Sequence, residues 1–224
     1  MDSRRGLLLG LLVAGLALPA AAQAAPVVRC VPAGGPGCGS SHATIAAAVS
    51  AAADGDTIRI AAGTYGESIS TTKPLSFVGA GSGATTIAPA SGSALTLLRG
   101  GSVRSLRAVG ASGFIGSTAL RLSPDVDGTY AYTVADVVAT GGSGTDITFG
   151  FGGAGLSVAT GSATGRVVSL SLSGGSFQSG SAGNFTQTEA LILHGRAVSA
   201  TISNTSAAES VWRWPAGPPS TPSA

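Results

Sequence analysis

The chain has 224 residues, of which 10% are charged, and its formal net charge is +2. Lys73 is the sole lysine and no basic run follows the first residues, which argues against nucleic acid and anionic lipid as partners. The 35 glycines are spread between short aliphatic and β-branched runs, a pattern that indicates many turns rather than a disordered chain.

Residues 1–25 have the organisation of a secretory signal peptide. A short basic start precedes the apolar run Leu7 to Leu18, and a small-residue cleavage motif follows at Ala22-Gln23-Ala24. The run is shorter than the ~20 residues of a spanning helix, so we expect no membrane span. The arginines Arg4 and Arg5 fit either a twin-arginine signal or an ordinary basic start. We therefore expect one secreted domain, extracellular, periplasmic or on the cell surface.

Two cysteines follow the signal, at positions 30 and 38. Export implies an oxidising compartment, so we predict a Cys30–Cys38 disulfide that closes an N-terminal segment over residues 26–43. The alternative is a metal site, for which His42 is the only further ligand nearby.

The next residues predict a short helix and then short strands. Hydroxyl residues up to Thr44 provide N-cap chemistry, Ile45 to Ala53 has one apolar face, and Gly55 suits the residue after a helix. Strands are expected at residues 57–60, 67–69, 75–78 and 85–87, with a turn at 62–65.

An internal repeat begins after residue 90. A small residue, a leucine, any residue and an aliphatic recur, each time followed by a second strand-like stretch, with the second stretches about 30 residues apart. The first halves are at residues 94–97, 119–122, 155–158 and 190–193, and the second at 103–109, 132–138, 167–172 and 198–202. Short strands without intervening helices predict a coil in which each turn buries its apolar face on the next. The spacing disfavours the alternative, an antiparallel sandwich, whose strands recur every 8–12 residues.

The fold class predicted from these patterns is all-β. We expect a right-handed parallel β-helix over residues 44–210, a single-stranded solenoid with a short N-terminal capping helix. Residues 211–224 form the end of the chain, with Trp212 and Trp214 followed by a Pro- and Ser-rich tail that we expect to be disordered.

Residues 44–87 resemble the opening of the pectin-lyase-like superfamily of right-handed β-helix proteins. The resemblance is carried by Thr44-Ile45 to Val49, by Ala52 to Ile58, and by the remaining positions Gly63-Thr64-Tyr65, Glu67, Ile69, Lys73-Pro74-Leu75, Gly79-Ala80-Gly81 and Thr86-Ile87. The family has proline before the Gly-x-Tyr motif, where this chain has Ala62. The resemblance implies that the segment is structural: the helix plugs the first turn, Gly63 permits a tight corner and Tyr65 packs on it.

The resemblance also suggests two catalytic sites. Pectin methylesterases of the superfamily use two aspartates and an arginine, for which Asp146, Asp136 and Arg166 are the candidates here. Asp146 begins an Asp-Ile-Thr-Phe-Gly stretch like the family's strand, but the Gln-Asp pair and the Leu-x-Arg-Pro element are absent. The alternative is that Asp146 ends a glycine loop.

Polysaccharide lyases of the superfamily bind calcium through acidic residues, and Asp125 and Asp127 are the densest acidic pair here. Two carboxylates two residues apart suit Ca²⁺, although no third acid is close in sequence. The alternative is that these aspartates cap turns, in which case the protein needs no cofactor.

Candidates for glycan contact are the arginines Arg104 and Arg121 and the tryptophans Trp212 and Trp214. Arginines at positions 99, 104, 107 and 121 recur in consecutive turns and would line one face if they stacked, whereas the alternative is solvated outward positions. The tryptophans either stack on sugar rings or cover the last turn.

The sequence therefore favours a secreted, non-catalytic β-helix protein of the envelope or cell surface that contacts polysaccharide. The first alternative is a carbohydrate-active enzyme, pectinesterase-like or lyase-like, with an atypical site. The second alternative is a truncated remnant without independent activity.

Overall fold

The structure is a computed structural model, and it describes residues 25–32, 36–144, 152–161, 165–181, 189–195, 198–207 and 211–213. The predicted signal peptide, apart from Ala25, lies outside these residues. The described strands pair in parallel throughout and form two sheets of a right-handed parallel β-helix, as the repeat predicted. One helix, α1 (Ile45–Ala51), accompanies them.

The larger sheet, called sheet A, contains twelve strands. They are β1 (Val28–Val31), β2 (Ser40–Ser41), β3 (Thr57–Ile60), β4 (Gly63–Tyr65), β6 (Leu75–Val78), β7 (Thr85–Ile87), β9 (Gly101–Val109), β11 (Gly128–Thr140), β13 (Arg166–Ser173), β14 (Ser176–Gln178), β16 (Val198–Ser203) and β17 (Ser206–Ala207). The smaller sheet, called sheet B, contains six: β5 (Ile69–Thr71), β8 (Leu95–Leu97), β10 (Leu120–Leu122), β12 (Leu156–Gly161), β15 (Leu191–Gly195) and β18 (Val211–Arg213).

Each turn of the coil runs from a strand of sheet B to a strand of sheet A and back. Side chains alternate between the inside and the outside of a strand, so every second residue enters the bore. In sheet B the register stacks Leu95 on Leu120 and Leu120 on Leu156, and all three side chains are fully buried. In sheet A, Phe77, Val103, Val134 and Leu172 stack in the same way. The core is therefore a continuous apolar column along the axis.

A corner divides the long strands of sheet A into two halves. Ser105 in β9 and Asp136 in β11 have φ of +54° and +51°, and Asn204, after β16, has +49°. These are left-handed conformations, which serine, aspartate and asparagine tolerate better than β-branched residues do. The strand register places Ser105 and Asp136 at the same level, and Gly174 and Asn204 continue the column. The corner bends the sheet and creates a third face of the coil.

Helix α1 closes the N-terminal end of the coil, and side chains from the connections on either side of β5 bind both of its ends. The Thr44 side chain caps the N-terminus by accepting from Ala47 N at 3.1 Å, as the sequence predicted. The Glu67 carboxylate accepts from Ile45 N and Ala46 N, at 3.0 and 2.8 Å. At the other end the Lys73 ammonium donates to the carbonyls of Val49 and Ser50, at 3.0 and 2.9 Å. The negative charge of Glu67 at the N-terminus and the positive charge of Lys73 at the C-terminus both stabilise the helix dipole.

A buried ion pair lies beneath this cap. Asp56 is 1% exposed, and it accepts hydrogen bonds from Val27 N at 2.7 Å, Ala53 N at 2.9 Å and Arg29 Nε at 2.8 Å. Burial raises the pKa of Asp56, but the two backbone donors and Arg29 outweigh it, so the pKa lies below the ordinary value. Close by, the predicted Cys30–Cys38 disulfide is present. It links β1 to the loop before β2.

The Gly-Thr-Tyr sequence forms the same corner twice. At Gly63 and Gly128 φ is +148° and +152°, and a β-carbon at either position would contact the ring of the tyrosine two residues later. The hydroxyls of Tyr65 and Tyr130 donate to the carbonyls of Ala61 and Val126. The predicted packing of Tyr65 on Gly63 is confirmed. The predicted turn at residues 62–65 is corrected in part, because β4 begins at Gly63.

Glycine turns on the far side of the coil pack backbone against backbone. Ser117 N donates to Ala111 O, Gly142 N to Ser117 O, Gly153 N to Gly142 O, and Gly180 N to Gly153 O, at 2.8–2.9 Å. We call this series of hydrogen bonds the relay. It alternates between the stacked starts of successive connections, at Ala111, Gly142 and Gly180, and their stacked ends, at Ser117 and Gly153. A β-carbon on Gly142 would lie 1.9 Å from Ala111 O, so no side chain fits between the stacks.

Candidate functional site

The outward face of sheet B carries a row of side chains parallel to the coil axis, polar at four positions and apolar at Ile192. The register aligns, from the helix end, Ser70, Thr96, Arg121, Ser157 and Ile192. Their neighbours on each strand enter the core, so strand alternation leaves these side chains outside. Arg121 is exposed and is the one charged member of this described row. The row offers hydroxyl groups and a guanidinium to a ligand lying along the sheet.

Four charged residues meet where the chain leaves sheet B for sheet A. Arg99 reaches Asp125 with two nitrogens, Nε to Oδ1 at 3.2 Å and Nη2 to Oδ2 at 3.4 Å. Arg166 Nη2 donates to the Asp125 carbonyl at 2.9 Å, and its Nε lies 3.7 Å from Asp127 Oδ1. The two arginines therefore fix the turn that carries both aspartates. We call these four residues the Arg–Asp cluster.

The electrostatics of the cluster follow from this pairing. The hydrogen bond from Arg99 lowers the pKa of Asp125, and the same bond raises the pKa of Arg99. Both side chains are solvated, at 43% and 34% exposed, so this surface pair adds little to stability. Asp125 is an ionised carboxylate that already has a cationic partner.

The predicted calcium ligands belong to this cluster. Asp125 and Asp127 come together as the sequence suggested, but each lies beside an arginine. A calcium ion is coordinated by about six to eight oxygen ligands, and the positive charge of a guanidinium repels it. Within the ranges described above, no group of three or more acidic, histidine or cysteine side chains gathers around a point that could hold a metal.

The candidate esterase residues lie apart from one another. Asp136 occupies the left-handed corner, is exposed, and accepts from Ser82 Oγ at 3.3 Å. Arg166 pairs with Gly128, which is eight residues from Asp136 along the same strand, or ~26 Å of extended chain. Asp146 lies outside the described residues. Asp136 and Arg166 therefore do not share a cleft.

The candidate glycan-contact arginines lie on different faces. Arg121 is outward on sheet B, whereas Arg104 is outward on the first half of β9 and Arg107 on its second half, beyond the corner. They do not form a single stripe. Trp212 is in β18, in register with Ile192, and Trp214 lies outside the described residues.

The two histidines stand apart from this site. Nε2 of His42 lies 3.0 Å from Ser40 Oγ, which also accepts from Arg29 Nη1 at 3.2 Å. His194 lies near the end of β15, one residue before Gly195, and is exposed.

A groove of about 240 Å³ lies between α1 and β5, lined by Ala46, Val49, Ser50, Ser68, Ile69 and Ser70. Its lining has no ionisable side chain, so it lacks the acid and base that hydrolysis requires. Ser70 also begins the outward row of sheet B. The groove is therefore continuous with that face.

Comparison with known proteins gives a structural likeness at low sequence identity. No family model matches the chain, and no curated protein matches it. A pectin methylesterase in complex with a hexasaccharide is 15% identical, with a TM-score of 0.46 over 83% of this chain and 68% of that chain. A pectin methylesterase from Erwinia chrysanthemi is 14% identical, with a TM-score of 0.44 over 84% and 68%. One from carrot is 17% identical, with a TM-score of 0.44 over 84% and 65%.

These are proteins to which the chain is similar, and the fold assignment rests on its own strand pairing. In the described part of the chain, no helix has the length and hydropathy to cross a bilayer. The disulfide indicates an oxidising compartment.

Proposed function

We propose that this protein is exported and that it contacts polysaccharide through the outward face of sheet B without turning it over. The observation that carries the proposal is the axial row of hydroxyls with Arg121 in its middle. Six strands spaced about 4.8 Å apart give the face a length of ~24 Å, enough for several sugar units in an extended chain.

The chemistry of the row favours an acidic polysaccharide. Hydroxyls of serine and threonine both donate and accept, which matches the hydroxyls of a sugar. A guanidinium binds a carboxylate through two parallel hydrogen bonds, so Arg121 is suited to a uronate. The other described arginines near this edge, Arg99 and Arg166, already have carboxylate partners.

The absence of turnover is proposed from the placement of the described carboxylates. Hydrolysis by paired carboxylates needs two of them in one cleft with different proton affinities. Instead Asp125 pairs with Arg99, Asp127 lies beside Arg166, and Asp136 holds a corner with Ser82. Each of these residues has a structural partner in place of a second acid.

The test is a binding assay with fluorescent oligogalacturonate and, as the neutral comparison, a galactan oligomer. We expect Arg121→Ala to weaken oligogalacturonate binding by about 10- to 100-fold, since a hydrogen bond to a charged group contributes ~1.5–3 kcal/mol and 1.4 kcal/mol is tenfold. Arg107→Ala is the matched control, because Arg107 is exposed on another face. Equal loss in both variants, or no binding at all, contradicts the proposed surface.

The same preparation tests turnover. Methyl-esterified pectin is incubated with the protein, and methanol, reducing ends and unsaturated products are measured. We expect none of the three. Product formation that disappears in Asp146→Asn or Asp136→Asn would establish the carbohydrate-active enzyme instead.

A further inference from the structure

The groove between α1 and β5 lies at the helix end of the row on sheet B. Strand β5 is the last strand of sheet B on this side, and its outward Ser70 is the first member of the row. Helix α1 packs against β5, and Ala46 and Ser50 line the groove from the helix. These two residues are four apart, so they share one face of the helix. A ligand that lies along the row therefore meets the groove where the sheet ends.

The lining of the groove combines hydroxyl groups with apolar carbon. Its described side chains are three serines and three aliphatic residues: Ser50, Ser68, Ser70, Ala46, Val49 and Ile69. Ser68 Oγ donates to Ser93 O at 2.7 Å, so its remaining capacity is to accept. Ser50 and Ser70 are exposed, and their hydroxyls can both donate and accept. A sugar ring has hydroxyls at its edge and C–H groups on its faces, so it presents the same two kinds of group.

The size of the groove limits how much of a ligand it can hold. Its volume is about 240 Å³. Pockets that bind drug-sized ligands have volumes of ~300–1,000 Å³. The groove therefore suits one sugar ring and not an oligosaccharide, and the rest of a longer chain has to lie elsewhere on the protein.

The charges around the groove favour an uncharged ligand. None of the six described lining side chains is ionisable. Glu67 and Lys73, which precede and follow this part of β5, bind backbone groups at the two ends of α1. A carboxylate in the groove would lose water without gaining a cationic partner from the lining, which is unfavourable. Arg121, two strands along the row, provides the guanidinium that the groove lacks.

We propose that the groove binds one uncharged sugar unit of the same chain whose uronate binds Arg121, an inference that rests on the proposed function. Ser70, Thr96 and Arg121 occupy successive strands of sheet B, so about 10 Å of sheet separate the groove from the guanidinium. The ligand is therefore an acidic polysaccharide that also contains neutral units. A chain made only of uronates leaves the groove empty.

A set of short oligosaccharides tests the charge preference of the groove. Digalacturonate is compared with trigalacturonate and with the same dimer extended by one galactose, at either end in two separate probes. Binding to the full-length protein is measured by isothermal titration calorimetry. We expect galactose at one end to tighten binding about tenfold, the effect of a few neutral hydrogen bonds. We expect trigalacturonate to stay within about twofold of digalacturonate, because the groove disfavours its third carboxylate. Equal gains from galactose and from the third galacturonate overturn the proposal.

Two neighbouring alanines of α1 provide a matched pair of variants. Ala46 and Ala47 are both exposed, but only Ala46 lines the groove. Leucine is close to alanine in helix propensity, so both leucine variants keep the helix. We expect Ala46→Leu to fill the groove and abolish the gain from galactose, whereas Ala47→Leu retains it. Ser50→Ala removes a hydroxyl without adding bulk, and we expect it to reduce the gain about threefold. Equal gains in the two leucine variants show that galactose binds elsewhere and contradict the proposal.

Arg121→Ala separates failure of this inference from failure of the proposed function. If Arg121→Ala weakens digalacturonate binding but galactose adds nothing in the wild-type protein, the face of sheet B stands and the groove assignment is wrong. If Arg121→Ala leaves digalacturonate binding unchanged, or if no probe binds the wild-type protein, the proposed function is wrong and the groove assignment with it.

Discussion

Replacement of the buried Asp56 tests whether the N-terminal end of the coil depends on one carboxylate. Asp56 accepts from Val27 N, Ala53 N and Arg29 Nε, all at 2.9 Å or less. Alanine at this position leaves two backbone donors and a guanidinium without a partner. The Arg29 side chain is 15% exposed, so water replaces the lost acceptor only in part. Removing one partner of a buried pair costs ~3–5 kcal/mol, and we expect Asp56→Ala to lie in this range.

The assay is urea unfolding of the oxidised protein, followed by far-UV circular dichroism. Asp54→Ala is the control, because Asp54 is exposed two residues away, and a surface substitution changes stability by less than ~0.5 kcal/mol. A loss below ~1 kcal/mol for Asp56→Ala would refute the reasoning, since it would show that the donors find other acceptors.

The pH dependence of this loss provides a second measurement. The pKa of Asp56 is lower in the folded protein than its ordinary value, which is ~3.9 in an unfolded chain. A lowered pKa gives stability that is present above the unfolded value and is lost as pH falls through the folded value. We therefore expect the difference between the wild-type protein and Asp56→Asn to be constant near neutral pH and to shrink below about pH 4.

Two further substitutions test the cap and the glycine turns. Lys73→Met removes the ammonium that binds the last carbonyls of α1. We expect the free energy of unfolding in urea to fall by ~1 kcal/mol, and by less at high salt. The control is Arg107→Met, at an exposed position. Gly142→Ala forces a β-carbon against Ala111 O, and we expect a loss of ~1–3 kcal/mol or more in thermal unfolding. Gly83→Ala is its control, since a β-carbon there meets nothing within 4 Å, and equal losses in the two glycine variants would contradict the packing argument.

The strands were predictable because inward side chains in a narrow bore must be apolar and alternate with outward ones. Residues 57–60, 75–78 and 85–87 match β3, β6 and β7. The helix was also predictable, from its Thr44 cap and its apolar face, although it ends at Ala51 rather than Ala53. Local patterns of this kind do not depend on distant parts of the chain.

The corners of sheet A were missed, although a signal was present. Buried residues fall at Val103 and Leu106, and again at Val134 and Val137, so the spacing of two becomes three at each corner. Serine or aspartate lies in the gap, in the left-handed conformation. The shift of period indicates a bend, but a single sequence gives no register with which to align the bends of successive turns.

The partners of the acidic residues were not predictable from the sequence. Arg99 and Asp125 are 26 residues apart, and Arg166 and Asp125 are 41 apart. Whether such residues meet depends on how many residues each turn contains, which differs along this chain. The sequence identified the Asp125 and Asp127 pair but not the two guanidinium groups beside it.

The relay of backbone hydrogen bonds through Ala111, Ser117, Gly142, Gly153 and Gly180 limits how this protein can evolve. Repeat proteins usually gain or lose whole units, because each unit contacts only its neighbours in one repeated way. Here backbone hydrogen bonds join the two ends of one connection and also join one connection to the next. Duplication or loss of a single coil in this region would leave some of these backbone donors and acceptors without their partners. We therefore expect insertion or removal of one coil in this region to destabilise the protein more than substitutions on its outward faces do.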